Sequence, residues 1–151
     1  GRMSMSSEFD PSWRCQWQIA GKRDPCLRII EQTQQAIESA GLGGTVAFAV
    51  RLAMEEAMVN AIRHGHGGDE SLEIKVEVSV DSSEINVAVE DMGPGFDPDA
   101  VPDPTADENL MIASGRGLTL MRAFMTEVHI EPPGNRIVMR YDLQQPLTSE
   151  S

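Results

Sequence analysis

Glu56 and Asn60 stand four residues apart within residues 55–65, and their side chains suit phosphoryl chemistry. Residues at this spacing project from the same face of a helix. A carboxylate can order a hydroxyl group and take its proton, and an amide oxygen is a hard ligand for Mg²⁺. Arg63 extends the same stripe, and His64 stands at the end of the predicted helix. Taken alone, this spacing is more typical of an ordinary solvated helix face.

A second group of residues follows a predicted strand directly, in the stretch 90–96. Asp91 stands at the strand end, where its carboxylate can accept a hydrogen bond from an exocyclic amine such as adenine N6. Gly93 and Gly95, followed by Phe96, allow the backbone to approach a flat base closely because glycine has no Cβ. Taken alone, the stretch also fits a plain Asp-x-Gly turn.

A third group, residues 114–118, opens a predicted helix with the sequence Ser-Gly-Arg-Gly-Leu. The free N–H groups and the dipole at a helix start attract phosphate. Arg116, between Gly115 and Gly117, adds a charge-assisted contact to phosphate or faces water. A lone Gly-x-Gly is also typical of a loop hinge.

The elements that must position these groups follow from hydrophobic periodicity. Alternation with period two predicts strands over residues 13–20, 72–80, 85–90, 128–130 and 137–141. Helical spacing predicts a first helix with Asp24 as its N-cap and Pro25 as its first residue, ended by Gly41 and the Gly43-Gly44 pair. It also predicts a helix over 46–64 capped by Thr45, and a third after Gly117.

The order strand, helix, helix, hairpin, loop, helix, hairpin predicts an α+β fold. We expect a two-layer α/β sandwich with a mostly antiparallel mixed sheet and the helices on one face. Residues 93–114 are rich in proline, glycine and acidic residues, so we expect a mobile loop over 97–114 without nucleotide. We expect residues 1–10 to be a tag remnant, 11–143 the domain and 144–151 a flexible tail.

Composition limits the classes of partner. The chain has 151 residues, which suits one domain, and its formal net charge is −12. Such a charge repels phosphate backbones and anionic headgroups, so we expect no direct nucleic-acid or membrane partner. The two cysteines have no metal-ligand spacing, which favours reduced thiols in a cytoplasmic protein.

The three groups in this order resemble the GHKL (Bergerat-fold) ATPase superfamily, which includes histidine kinases and gyrase. The chain is most similar to its RsbW-like branch of anti-sigma factors and serine-protein kinases, over about residues 12–143. The resemblance implies that Asn60 coordinates Mg²⁺, that Glu56 is the catalytic general base and that residues 97–114 are the ATP lid. The residues expected to bind the nucleotide are Asn60, Arg63, His64, Asp91, Gly93, Gly95, Phe96, Gly115, Arg116, Gly117 and Leu118.

The same resemblance implies a function. With ATP and Mg²⁺ as cofactors, the protein would phosphorylate a STAS-type anti-sigma-factor antagonist on serine or threonine, sequester a sigma factor, and form a homodimer. Two alternatives stay open from the sequence. One is a non-catalytic ATP-binding partner-switch module, and the other is the kinase module of a larger phosphatase or receiver regulator.

Overall fold

The computed structural model describes residues 12–65, 72–93, 118–132 and 134–144. The strands in these ranges are β1 (Trp13–Ala20), β2 (Glu73–Val80), β3 (Glu84–Glu90), β4 (Glu127–Glu131) and β5 (Arg136–Asp142). The helices are α1 (Arg23–Ser39) and α2 (Gly44–Asn60), with a π-helical turn (Ala61–Gly65) directly after α2 and a short helix, α3, over residues 118–124. The predicted tag remnant, the loop 97–114 and the tail beyond residue 144 lie outside the described residues. No helix of the described part has both the length and the apolar character to cross a membrane.

The five strands form one sheet in the order β1-β2-β3-β5-β4, and all four pairings are antiparallel. The predicted α+β class is confirmed. Where the sequence suggested a mixed sheet that is mostly antiparallel, every described pairing is antiparallel. The strands β2 to β5 begin and end within one residue of their expected bounds, and β1 matches its prediction.

The sheet has one apolar and one charged face because its strands alternate. The inward residues of β2, β3 and β5 are buried with α1 and α2 in a single core that includes Ile74, Ile85 and Met139. On the outer face, Arg136 and Arg140 each lie within 3.5 Å of three carboxylates. The partners of Arg136 are Glu77, Glu90 and Glu131, and those of Arg140 are Glu84, Glu127 and Asp142.

The predicted helix starts were wrong by a few residues. Helix α1 begins at Arg23 after Lys22, and α2 begins after Gly43, so neither Asp24 nor Thr45 is an N-cap. No side chain caps either start. Gly43 has φ +93°, a conformation that suits glycine and lets the chain enter α2 without a capping side chain.

The prediction that Gly41 ends α1 is confirmed. Gly41 follows the helix with φ +71°. Its N–H donates to the carbonyl of Glu38, and the N–H of Leu42 donates to the carbonyl of Ile37. This pair of bonds is a Schellman motif, which satisfies two helix-end carbonyls and requires a left-handed residue at Gly41.

Helix α2 is buried along a row of small residues. Ala49, Ala53 and Ala57 recur every four residues and are each at most 4% exposed, while Met54 and Met58 fill the space beside them. Ala47 and Ile62 are half-buried and pack against the edge of the same core. Small side chains like those of the alanine row let a helix approach the elements that it packs against.

We predict that Ile74→Ala lowers the free energy of unfolding by about 2–5 kcal/mol, because it leaves a cavity in a close-packed core. Ile74 is fully buried in β2. The matched control is Lys75→Ala, which changes the next residue on the exposed face and should stay within about 0.5 kcal/mol of the parent. Urea denaturation measures both. Equal effects for the two variants would contradict the inward orientation of Ile74.

Candidate functional site

Asn60, the last residue of α2, is buried and unsatisfied. Its side chain belongs to a residue that is 5% exposed, and neither Nδ2 nor Oδ1 has a hydrogen-bond partner in the described structure. Buried amide groups are nearly always bonded, and each unsatisfied group costs about 1–3 kcal/mol. A polar side chain kept in this state points to a ligand that completes it.

The π-helical turn directly after Asn60 changes the expected polar stripe. The sequence placed Glu56, Asn60 and Arg63 on one face, but Asn60 is buried, Glu56 is half-buried and Arg63 is exposed. A π turn holds more residues per turn than an α turn, so Arg63, three residues after Asn60, is rotated away from the face that the two would share in a regular α-helix. His64 lies in the same turn, and its side chain is outside the described residues. Such turns are frequent at functional sites.

Glu56 borders an open groove between the start of α1 and the end of α2. The groove has a volume of about 550 Å³, with Lys22 and Arg23 on the α1 side and Glu55 beside Glu56 on the α2 side. Cys26 also lines it. Burial raises the pKa of the Cys26 thiol to about 11, so this thiol stays protonated at neutral pH and is a poor nucleophile. A carboxylate is therefore the candidate base of the groove.

Both cysteines are free thiols, as the sequence indicated. Cys26 is buried and Cys15 is half-buried on β1. Within the described ranges no three His, Cys, Asp or Glu side chains are grouped so that they could hold a metal ion.

Asp91 lies one residue beyond β3 and is held from three directions. Its Oδ1 accepts a hydrogen bond of 2.7 Å from the N–H of Gly93. Its backbone N–H donates to the carbonyl of Asn135 at 2.9 Å, and Nδ2 of Asn135 donates to the Asp91 carbonyl at 3.0 Å. Asp91 is only 8% exposed. The carboxylate therefore has a fixed place at the end of the strand.

The sequence pattern gave no signal for Asn135, which lies between the last two predicted strands. Its contact with Asp91 spans 44 residues of chain, and no local pattern reports a contact of that range. The pairing of β3 with β5 would have been needed to find it.

The structure describes some of the residues expected to bind the nucleotide, and others lie outside the described ranges. Helix α2 contacts β3, so Asn60 and Asp91 stand at the ends of two elements that pack on each other. Leu118, the first described residue of α3, is buried, and its side chain belongs to the core. The expected contacts Gly95, Phe96, Gly115, Arg116 and Gly117 lie outside the described residues.

Comparison with known proteins adds an independent observation. A family model described as the histidine kinase-like ATPase domain matches residues 26–141. The chain is 32% identical over 100 residues to the anti-sigma F factor of Clostridium novyi (strain NT), covering 63% of this chain and 70% of that relative. It is 32% identical over 96 residues to the anti-sigma F factor of Clostridium perfringens (strain 13 / Type A), covering 60% and 69%. The family match includes both Asn60 and Asp91.

We predict that Asn60→Leu raises the free energy of unfolding of the ligand-free protein by about 1–3 kcal/mol, because it removes two unsatisfied polar atoms and keeps a side chain of similar size. Urea denaturation measures the change. The matched control is Asn86→Leu, since Asn86 is half-buried and its Nδ2 donates to Glu84 at 2.8 Å. The control should not gain stability. A loss of stability in Asn60→Leu would mean that its amide is satisfied in solution.

Proposed function

The chain belongs to the histidine kinase-like ATPase (GHKL) superfamily, in its RsbW-like anti-sigma factor branch, and on that premise we propose that it is an anti-sigma factor of the partner-switch type that binds Mg·ATP. We further propose that it is a protein serine/threonine kinase whose substrate is a STAS-type anti-sigma-factor antagonist. The family match supports ATP binding, and the relatives named anti-sigma F factor support the regulatory class.

The buried, unsatisfied amide of Asn60 is the observation that carries this proposal. A carboxamide oxygen fits Mg²⁺, which prefers oxygen ligands and keeps several from water and phosphate. Mg²⁺ supplies charge compensation to the phosphates in phosphoryl transfer. Asn60 would hold the ion from the protein side, at the point where α2 changes into the π-helical turn.

Asp91 would recognise the adenine base in this proposal. Its carboxylate is fixed by Gly93 and by the backbone pairing with Asn135, and a fixed acceptor suits an exocyclic amine. Arg63, His64 and the remaining expected contacts (Gly95, Phe96, Gly115, Arg116, Gly117 and the main chain of Leu118) would line the rest of the nucleotide. Positioning of this kind supplies most of the catalysis in phosphoryl transfer.

Glu56 would act as the general base. It lies one helical turn before Asn60 on α2 and borders the open groove beside α1. A serine hydroxyl of a partner protein would enter the groove and meet the carboxylate there. The carboxylate would orient the hydroxyl and accept its proton as the serine oxygen bonds to the γ-phosphorus of ATP and ADP leaves.

The partners follow from the same premise. The antagonist would be the phosphoryl acceptor, a sigma factor would be the sequestered protein, and the chain would act as a homodimer in the cytoplasm. A non-catalytic partner-switch module would use the same nucleotide pocket and groove without transfer. Transfer to a protein serine separates these two functions.

We predict that the protein binds a non-hydrolysable ATP analogue in a magnesium-dependent way, and that Asp91→Asn weakens this binding by roughly 10- to 100-fold. The reason is that the variant removes a charged acceptor, and hydrogen bonds to charged groups contribute about 1.5–3 kcal/mol. Calorimetric titration with and without Mg²⁺ measures both quantities. No binding at millimolar nucleotide would refute the proposed ATP site and leave a partner-binding module.

We predict that Glu56→Gln retains nucleotide binding and slows phosphate transfer to a STAS-domain protein from the same genome by roughly 10²- to 10⁴-fold, which is the usual contribution of a general base. Labelled γ-phosphate on the acceptor serine is the measurement. Glu55→Gln is the matched control, because Glu55 lines the same groove but pairs with Arg51 on the exposed side of α2. Transfer at the parent rate in Glu56→Gln would remove Glu56 from catalysis.

A further inference from the structure

Asn135 holds the main chain of Asp91 through an unusual pair of hydrogen bonds. In a regular antiparallel pair, two opposite residues exchange their backbone N–H and C=O groups. The register of β3 with β5 ends at Glu90 and Arg136, and Asp91 and Asn135 are the next residues on each side. Asp91 N–H donates to the Asn135 carbonyl as a ladder would require, but the return bond to the Asp91 carbonyl comes from Nδ2 of the Asn135 side chain.

A tight turn stands directly before Asn135. Gly134 has φ +108°, and its N–H donates to the carbonyl of Glu131 at 2.7 Å. The side-chain amide of Asn135 extends the pairing with β3 by one residue beyond the register. Arg136 stabilises the same end of the β3–β5 pair, because its Nη1 lies 3.2 Å from Oε1 of Glu90.

We propose that Asn135 is a positioning residue that sets the base specificity of the nucleotide site through Asp91. The inference rests on the proposed ATP site. With the main chain of Asp91 fixed by Asn135 and its Oδ1 fixed by Gly93, the carboxylate keeps one orientation toward the base. A binding group must be held to within about 0.5 Å to discriminate well, so loosening the main chain reduces selection for the 6-amino group of adenine.

The test compares two nucleotides that differ only at that amino group. Dissociation constants are measured for ATP and for the triphosphate of purine riboside, which carries hydrogen at position 6, with Mg²⁺ present and without a protein substrate. The parent protein should prefer ATP by roughly tenfold or more, the usual worth of a hydrogen bond to a charged group. If the parent binds neither nucleotide, or binds both equally, the proposed adenine site fails before Asn135 is involved.

Asn135→Ala removes the Nδ2 donor and keeps the backbone carbonyl that Asp91 uses. No non-glycine residue in the described structure has positive φ, so alanine causes no backbone strain at this position. The preference for ATP should fall by roughly three- to tenfold, mostly through weaker ATP binding. Asn135→Leu keeps a neutral side chain of similar size that cannot donate, and it provides a second measurement of the preference if Asn135→Ala folds poorly.

The matched control is Asn86→Ala on β3, which removes one side-chain amide of the same kind, bonded to Glu84 away from Asp91. Its preference for ATP should equal that of the parent. A purely structural function of Asn135 would weaken both triphosphates by the same factor and leave the preference unchanged, which would overturn the proposal. Loss of preference in the control as well would overturn it too.

Discussion

The antiparallel ladder between β3 and β5 is the constraint on which the described site depends. Its seven register pairs run from Glu84 with Asp142 to Glu90 with Arg136, and they join two strands separated in the chain by residues 91–135. Closing so long a connection costs chain entropy, which the buried inward residues of both strands offset. Without the ladder, β3 would end beside β2 alone, and Asp91 would have no opposite residue to hold its main chain.

Asn60, unlike the ladder, lowers the stability of the fold at the candidate site. The core around α2 is closely packed, yet the helix ends in an amide that is buried and unbonded. Local rules of folding favour an apolar residue at such a position, and a departure from them is expected where function requires it. The fold retains this energetic cost because the rest of the core is large enough to offset it.

Much of the fold was readable from sequence because its signals are local. Strict alternation, as in β2, predicts one buried and one solvent-exposed face without knowledge of the neighbouring strands. The spacing of Glu56 and Asn60 likewise placed both residues on one helix. The exact helix starts were less predictable, since Lys22 and Gly43 enter their helices without capping side chains. The burial of Asn60 depends on layers distant in sequence, and the contact of Asn135 with Asp91 depends on strand order, so neither has a local pattern.

The row of alanines along α2 influences the positions of Glu56 and Asn60, which lie on the same helix. Ala49, Ala53 and Ala57 are all buried, and a close-packed interior does not absorb an extra methylene without movement. A larger side chain in this row would shift the helix as a rigid rod, and Glu56 and Asn60 would travel with it. Substitutions inside the core can therefore displace both of these side chains without changing either of them.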